Sequence, residues 1–367
     1  MINSDSASTQ KDITQEHIIQ VNWPKAYPEL NISGQFRVRD EDFQVTELSS
    51  RQLKESGPHL FLFIQKQGTN TQWLARKLAN HAKIDLKDVG YAGLKDRHAI
   101  TRQWFSLPIK NTEPDLTHLF NKPEFTLLKK AYYGVKLKRG ALGGNEFRLV
   151  IRNITGDKAL LNQRLELIRA RGVPNYFGPQ RFGHDFENIK QAYKFFETGK
   201  RPRNRQKTSM YISAARSLLF NDMLAKRVEG ECWDQSMNGE VYGFAGSMKG
   251  FSQEKTEQEL MRWRNQNIHP TCAMWGKNTS LATDQLLSLE NSVANEHILL
   301  NEGLIKQGLK QERRASRLLL PDLFWFWQGD DLVLRFCLAS GYFATSILRE
   351  LGDITEAPRH DEQRGPS

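Results

Sequence analysis

The most informative stretch of this chain reads Gly90-Tyr91-Ala92-Gly93-Leu94-Lys95-Asp96-Arg97-His98-Ala99. It sets one acidic side chain, Asp96, among the basic side chains of Lys95, Arg97 and His98. Neighbouring cations favour an ionised carboxylate, which can act as a nucleophile, and the preceding glycines let the backbone approach a ligand closely. The same composition also suits a surface turn in which Asp96 binds the backbone. The residues themselves leave both roles open.

The segments on either side of this stretch predict a sheet. His59 to Gln65 is a nearly continuous apolar run, typical of a buried strand, and Asn70-Thr71 caps a predicted helix. Trp104-Phe105-Ser106-Leu107 predicts the next strand. Asp96 would therefore lie in a loop at the end of a sheet, where a rigid scaffold often positions catalytic residues.

Gly93-Leu94-Lys95-Asp96-Arg97-His98-Ala99 resembles the signature G-x-K-D-[KR]-H-A of the tRNA pseudouridine synthase D family. In that signature the aspartate is the nucleophile, so the resemblance implies this role for Asp96. Lys95, Arg97 and His98 would then either keep Asp96 ionised or hold an RNA phosphate. Four further stretches resemble the same family, in the correct order along the chain.

The first two of these stretches supply three candidate substrate-binding residues. Phe36-Arg37-Val38 with Glu41-Asp42-Phe43 lies in an alternating pattern that predicts two short strands or one bent strand, and the resemblance implies that Phe43 contacts the substrate. Gly144-Asn145-Glu146-Phe147 opens another predicted strand. The resemblance implies that Asn145 binds the substrate and that Phe147 packs on the target base. From the residues alone, a turn role for Asn145 and core roles for Phe43 and Phe147 are the commoner ones.

The other two stretches lie in the second half of the chain. Pro174 to Gly183 resembles P-N-Y-F-G-x-Q-R-F-G, and we consider its Arg181 a candidate RNA contact. Gly341-Tyr342-Phe343-Ala344-Thr345 resembles the C-terminal motif, which implies that Phe343 contacts the substrate. Ala339 stands where the family pattern has proline.

The charge of the chain favours a polyanionic partner. Lys and Arg number 52 against 42 Asp and Glu, a formal net charge of +10, and such a field attracts nucleic acid. The run from Lys200 to Lys207 is strongly basic and is either a solvated loop or a phosphate-binding segment. Its candidate RNA contacts are Arg201, Arg203 and Arg205.

Several classes of protein are disfavoured by the sequence. The three cysteines are far apart and never form C-x-x-C, which argues against a disulfide framework and a thiolate metal site. Motifs for a phosphate loop, a dinucleotide site and an H-E-x-x-H metal site are missing. No apolar run is long enough to span a bilayer. We therefore predict a cytoplasmic, monomeric protein that uses neither a metal nor a nucleotide cofactor.

The length of 367 residues predicts two domains. Residues 184 to 318 are predicted to be mostly helical, with amphipathic segments near 185 to 198, 209 to 228, 282 to 308 and 311 to 319. The resemblance implies an α+β fold: a mixed, largely antiparallel pseudouridine synthase sheet core with helices, plus an inserted helix-rich α+β domain. The predicted divisions are a flexible tail (1–22), the first part of the core (23–170), the insertion (171–318), the return to the core (319–353) and a second tail (354–367).

The resemblance further implies that the protein converts uridine 13 of tRNA to pseudouridine without a cofactor. Two other readings of the residues stay open. An N-glycosidase or nucleoside transferase would also direct a carboxylate at ribose C1′, but it would release the base. A non-catalytic RNA-binding or RNA-folding protein on the same fold would not need Asp96.

Overall fold

A computed structural model of the chain describes residues 22–49, 51–110, 112–121, 124–141, 143–252, 261–263, 265–277 and 279–358. Most of the two predicted tails, residues 1–21 and 359–367, lies outside these ranges. A strand begins at Asp353, one residue before the predicted start of the C-terminal tail. Within the described ranges, no helix combines the length and apolar character needed to cross a membrane.

The described strands are β1 (Ser33–Phe36), β2 (Phe43–Leu48), β3 (His59–Gln67), β4 (Gly90–Tyr91), β5 (Ile100–Pro108), β6 (Phe125–Tyr133), β7 (Gly144–Thr155), β8 (Val173–Pro174), β9 (Val241–Gly243), β10 (Gly250–Ser252), β11 (His269–Met274), β12 (Glu312–Ala315), β13 (Arg317–Leu318), β14 (Phe324–Gln328), β15 (Asp331–Leu338) and β16 (Asp353–Glu356). The described helices are α1 (Thr71–His81), α2 (Thr117–Phe120), α3 (Lys158–Arg171), α4 (Glu187–Thr198), α5 (Arg205–Glu229), α6 (Asp284–Glu296), α7 (Ile298–Lys306) and α8 (Thr345–Leu348).

Ten of the described strands build one large mixed sheet in the order β14-β15-β7-β2-β5-β3-β6, with β1, β4 and β16 paired at its sides. The pairs β2 with β5 and β1 with β16 are parallel, and the other pairs in this sheet are antiparallel. This confirms the predicted α+β fold with a mixed, largely antiparallel sheet. The predicted strand over Leu332 to Leu338 is β15, which lies beside β7 and so returns the chain to this sheet.

Side-chain alternation on β2 directs the polar site residues to one face. Phe43, Val45 and Glu47 are buried, whereas the residues between them are only partly buried. The register places Val45 opposite Phe147 and Glu47 opposite Asn145 of β7. Successive side chains of a strand point to opposite faces, so one face of the sheet carries aromatic rings near its middle and polar groups toward its end.

The region between β8 and β13 contains four of the helices and a four-stranded sheet in the order β10-β9-β11-β12. The helices predicted near 185 to 198, 209 to 228 and 282 to 308 are confirmed, the last as α6 and α7. The helix predicted over 311 to 319 is wrong, because β12 and β13 occupy this segment. Helix propensity is a weak preference, and here the pairing of β12 with β11 and the ion pair of Arg313 with buried Glu290 override it.

Candidate active site

The loop that carries Asp96 connects β4 to β5 and is held by buried polar side chains of its neighbours. Thr71, the first residue of α1, accepts a hydrogen bond from the Lys95 backbone N–H at 2.9 Å and donates one to Gln103 Oε1 at 2.9 Å. Gln103 lies on β5, and its Nε2 donates to the carbonyl of Gly93 at 3.2 Å. The loop is therefore fixed to helix α1 through Lys95 and to strand β5 through Gly93.

Lys66 of β3 supplies a third anchor. Its Nζ donates to the carbonyl oxygens of Asp96 at 2.9 Å and Thr69 at 2.6 Å, and the residue is fully buried. Burial lowers the pKa of Lys66 to about 8, and the nearby Asp96 carboxylate opposes that shift. A buried ammonium that binds the backbone of Asp96 leaves the carboxylate itself available for other partners.

The carboxylate of Asp96 is half exposed and forms an ion pair with Arg37. The guanidinium of Arg37 also contacts Glu356 of β16 at 3.4 Å and lies 3.8 Å above the centre of the Phe43 ring. Arg37 directly follows β1 and adopts a left-handed backbone with φ of 58°, a conformation that costs free energy in a residue other than glycine and is often found at functional sites. Arg37 thus orients the carboxylate of the candidate nucleophile.

A buried ion pair lies on the sheet face beside the loop. Lys95 Nζ is 3.6 Å from Glu47 Oε2, and both side chains are almost completely buried. Burial raises the pKa of Glu47 to about 7, despite the attraction of Lys95, and burial lowers the pKa of Lys95. Asn145 lies opposite Glu47 across β2 and β7, and among the described residues its buried Oδ1 has no hydrogen-bond partner. An acceptor of this kind is suited to a donor from a bound ligand.

Phe43 and Phe147 are both buried and meet edge to face, with ring centres 6.2 Å apart. Phe147 also stacks on Phe336 of β15 at 5.4 Å. The structure therefore brings these two predicted substrate-binding rings together in the wall of the sheet. Their contact with a substrate stays a prediction.

Phe343 lies in the loop that follows β15, whose last residue, Leu338, pairs with Asn145. Its ring is 5.9 Å from Phe177, and the guanidinium of Arg181 lies near both rings, at 5.2 Å from Phe177 and 5.8 Å from Phe343. Arg181 also donates a hydrogen bond to Ser213 Oγ of α5 at 3.0 Å. Arg181 and Phe343, which are distant in sequence, are therefore in contact with each other.

The predicted RNA-contacting cations do not share one environment. Lys95 is buried against Glu47, whereas Arg97 is exposed and donates from Nε to the carbonyl of Gly68 at 3.1 Å. His98 Nδ1 is 3.9 Å from Asp40 Oδ1.

Arg201, Arg203 and Arg205 are exposed between α4 and the start of α5. Arg201 donates to Gln307 Oε1 at 2.9 Å. Arg205 begins α5, and Ser213, the partner of Arg181, lies about 12 Å farther along the helix at about 1.5 Å per residue. This basic segment is therefore about two helical turns away from the partner of Arg181.

The comparisons with known proteins agree with this geometry. The family model described as tRNA pseudouridine synthase D (TruD) matches residues 27–192 and 196–351. The chain belongs to the tRNA pseudouridine synthase D family. It is 43% identical over 325 residues to the tRNA pseudouridine synthase D of Nitrosococcus oceani. The aligned region covers 88% of this chain and 91% of the relative.

Two further relatives extend this finding. The tRNA pseudouridine synthase D of Methylococcus capsulatus is 41% identical over 331 residues, with 89% of this chain and 93% of the relative covered. A crystal structure of the putative tRNA pseudouridine synthase D from Methanosarcina mazei has a TM-score of 0.69 at 21% identity, over 89% of this chain and 95% of that one. At that identity, the likeness shows a shared fold.

Sequence reasoning did not select four residues that hold the site together: Arg37, Glu47, Lys66 and Gln103. Arg37 lies inside a stretch that resembles a family motif, but its partner Asp96 is 59 residues away. Lys66 directly follows the apolar run from His59 to Gln65 and lies within β3. A lysine at this position is a signal in the sequence, because a lysine is rarely buried without a specific partner. Glu47 continues the buried alternation of Phe43 and Val45, and this too marks it as unusual.

Proposed function

We propose that this protein is a tRNA pseudouridine synthase that converts uridine 13 of tRNA to pseudouridine, with Asp96 as the nucleophile. The observation that carries the proposal is the half-exposed Asp96 carboxylate, oriented by Arg37 within a loop anchored to α1, β3 and β5. Preorganisation of a reacting group in this way is a major source of enzymatic rate enhancement. Family membership makes pseudouridine formation the reaction to test first.

The reaction breaks the bond between uracil N1 and ribose C1′, turns the base while it is held, and joins C5 to C1′. The proton on C5 leaves and N1 gains a proton, so the reaction involves neither a redox step nor an energy source. Asp96 can open it in three ways: by adding to C1′ as the base leaves, by adding to C6, or by assisting loss of a ribose proton to give a glycal. The half-exposed position of the carboxylate is compatible with each.

The remaining groups suit the binding of an extruded uridine. Removing a base from its stack costs a few kcal/mol, which stacking on aromatic rings partly offsets. We assign this role to Phe147, together with Phe43 or Phe343. The Oδ1 of Asn145, which has no hydrogen-bond partner among the described residues, could accept a hydrogen bond from a ribose hydroxyl or from the N–H of the base.

We further propose that the enzyme acts as a cytoplasmic monomer without a cofactor, and that residues 171–318 form a domain inserted into the catalytic core. The exposed cations Arg97, Arg201, Arg203 and Arg205 are proposed contacts to tRNA phosphates. Phosphate contacts contribute affinity that falls as salt increases.

The test is release of tritium from tRNA labelled at uridine C5, because isomerisation must expel the C5 hydrogen. The intact protein should release about one label per tRNA from substrate with a uridine at position 13 and none when only that uridine is replaced by cytidine. Asp96→Asn should bind tRNA normally and release no label. Retention of the uracil in RNA of unchanged mass excludes an N-glycosidase.

Two outcomes would contradict the proposal. Label release by Asp96→Asn at the wild-type rate would refute the assignment of the nucleophile. Binding of tRNA without release of label at any enzyme concentration would instead support a non-catalytic RNA-binding protein.

A further inference from the structure

A second pocket, of about 390 Å³, lies between α5, the ends of β11 and β12, and the loop that carries Phe343. This volume falls within the usual range for small-molecule sites, about 300–1,000 Å³. The polar part of its wall consists of three arginines and three serines: Arg181, Arg216, Arg314, Ser209, Ser213 and Ser217. None of these residues belongs to the family signature around Asp96.

Arg314 is the deepest of the three arginines, with 7% of its surface exposed. It donates to the carbonyl of Gly341 at 3.0 Å and to Asn175 Oδ1 at 2.7 Å, but in the described part of the chain its Nε has no partner and no carboxylate pairs with it. Burial lowers the pKa of Arg314 to about 10, and the guanidinium lies over the rings of Phe177, Phe220 and Tyr342. A buried cation without an anion is costly.

The other two arginines add positive charge with little compensation. The guanidinium of Arg181 has one hydrogen-bond partner among the described residues, the hydroxyl of Ser213, and it lies over the rings of Phe177 and Phe343. Arg216 pairs with the carboxylate of Glu312 at 3.1 Å and donates from Nη2 to the carbonyls of Met274 at 2.7 Å and Lys310 at 3.0 Å. Its buried Nε has no hydrogen-bond partner among the described residues. The buried hydroxyl of Ser217 likewise has none there. Three guanidinium groups and one carboxylate give the pocket an excess positive charge with unused donors.

One residue of the pocket wall, Phe177, links the pocket to a cleft near the partners of Asp96. Phe177 lines the pocket and also lines this neighbouring cleft, which contains Phe36 and Glu356. Glu356 contacts Arg37, which holds Asp96. The apolar part of the pocket wall includes Met248 and Met274, and methionine adapts readily to a flat ring.

We propose that this pocket binds a second nucleotide of the substrate RNA, with its phosphate on Arg181, Arg216 and Arg314 and its base against the methionines. This inference rests on the proposed function for the identity of the RNA. Arginine is well suited to phosphate, because its planar fork of N–H groups matches the phosphate oxygens. The pocket would fix the strand next to the extruded uridine.

The test begins with calorimetric titration of the full chain with adenosine 5′-monophosphate, adenosine and inorganic phosphate at constant ionic strength. The nucleotide should bind more tightly than either of its parts. Arg181→Gln should weaken nucleotide binding about tenfold or more, because it removes a charge-assisted contact. Arg335→Gln, which removes one exposed arginine of β15 away from this pocket, should leave binding unchanged.

Two further measurements keep the inference falsifiable if Arg181→Gln fails to fold. Photolabelling of the wild-type protein with 8-azidoadenosine 5′-monophosphate should mark peptides that contain Met248 or Met274, and labelling confined to other peptides would refute the site. Saturating tRNA should displace the nucleotide, and a nucleotide that stays bound would refute the assignment to RNA. Asp96→Asn should bind the nucleotide like the wild type, so loss of catalysis is distinguishable from loss of this pocket.

Discussion

Replacing Arg37 by glutamine tests how far the candidate nucleophile depends on its orientation. The substitution removes the ion pair with Asp96, the contact with Glu356 and the cation above the Phe43 ring. The side chain of Asp96 is 51% exposed, so we expect the ion pair to contribute only about 0.2–1 kcal/mol to stability. The contact with the ring adds about 0.5–1 kcal/mol. The total loss of folding free energy should therefore be about 1–2 kcal/mol.

The effect on catalysis should be larger than the effect on stability. A reacting group that moves by about 1 Å can lose about 100-fold in rate, and Arg37 is the side chain that fixes the exposed carboxylate. We expect the single-turnover rate of tritium release, measured with enzyme in saturating excess over tRNA, to fall about 10- to 100-fold. Circular dichroism and urea unfolding would confirm that the variant is folded under the assay conditions.

The matched control is Arg97→Gln. Arg97 neighbours Asp96 in sequence, but its Nε donates to the carbonyl of Gly68. Saturating enzyme compensates for weaker RNA binding, so this variant should keep a rate near that of the wild type. If Arg37→Gln is as fast as Arg97→Gln at saturation, the orientation of Asp96 does not depend on Arg37 and the reasoning fails.

Three further substitutions test the scaffold by urea unfolding. Lys66→Met leaves two partly buried carbonyls without their donor and should cost about 1–3 kcal/mol; an unchanged midpoint would contradict its role as an anchor. The folded-state pKa of Glu47, about 7, lies above its ordinary value of 4.5, so wild-type stability should include a component that falls as the pH rises from 4.5 to 7. The Glu47→Gln variant should lack this pH-dependent component of the stability. Gly172→Ala places Cβ 2.2 Å from a β13 carbonyl oxygen at φ of +82° and should cost more than Gly308→Ala, which has similar φ and open space.

The elements around Asp96 could be predicted from the sequence because their signals are local. The apolar run that forms β3, the cap at Asn70 and the strand at Trp104 each follow from neighbouring residues. The partners of the loop could not be predicted in this way. Whether Arg37 reaches Asp96 depends on the parallel pairing of β2 with β5 and on a left-handed turn after β1, neither of which has a local sequence signal.

The strands between residues 241 and 315 show a second limit. All six residues of β11 are buried, so the strand lacks the alternation by which a half-exposed strand is identified. Its partner β12 contains Arg313, Arg314 and Ala315, residue types with good helix propensity. The strand forms because the guanidinium groups find buried partners across the fold, including Glu290 and Asn175. In this segment, the long-range pairs outweigh the local preference for a helix.

The three cations beside Asp96, which the sequence could not rank, are separated by their surroundings. Lys95 lies buried against Glu47. If Lys95 moved to contact an RNA phosphate, the Glu47 carboxylate would stay buried without its partner, which costs free energy. The ion pair of Lys95 with Glu47 instead holds the loop against the sheet. His98 faces Asp40. Arg97 is exposed, and among the described residues the hydrogen bond found for its guanidinium is the one from Nε to Gly68. Of the three, Arg97 is therefore the side chain best placed to meet an RNA phosphate next to the candidate nucleophile.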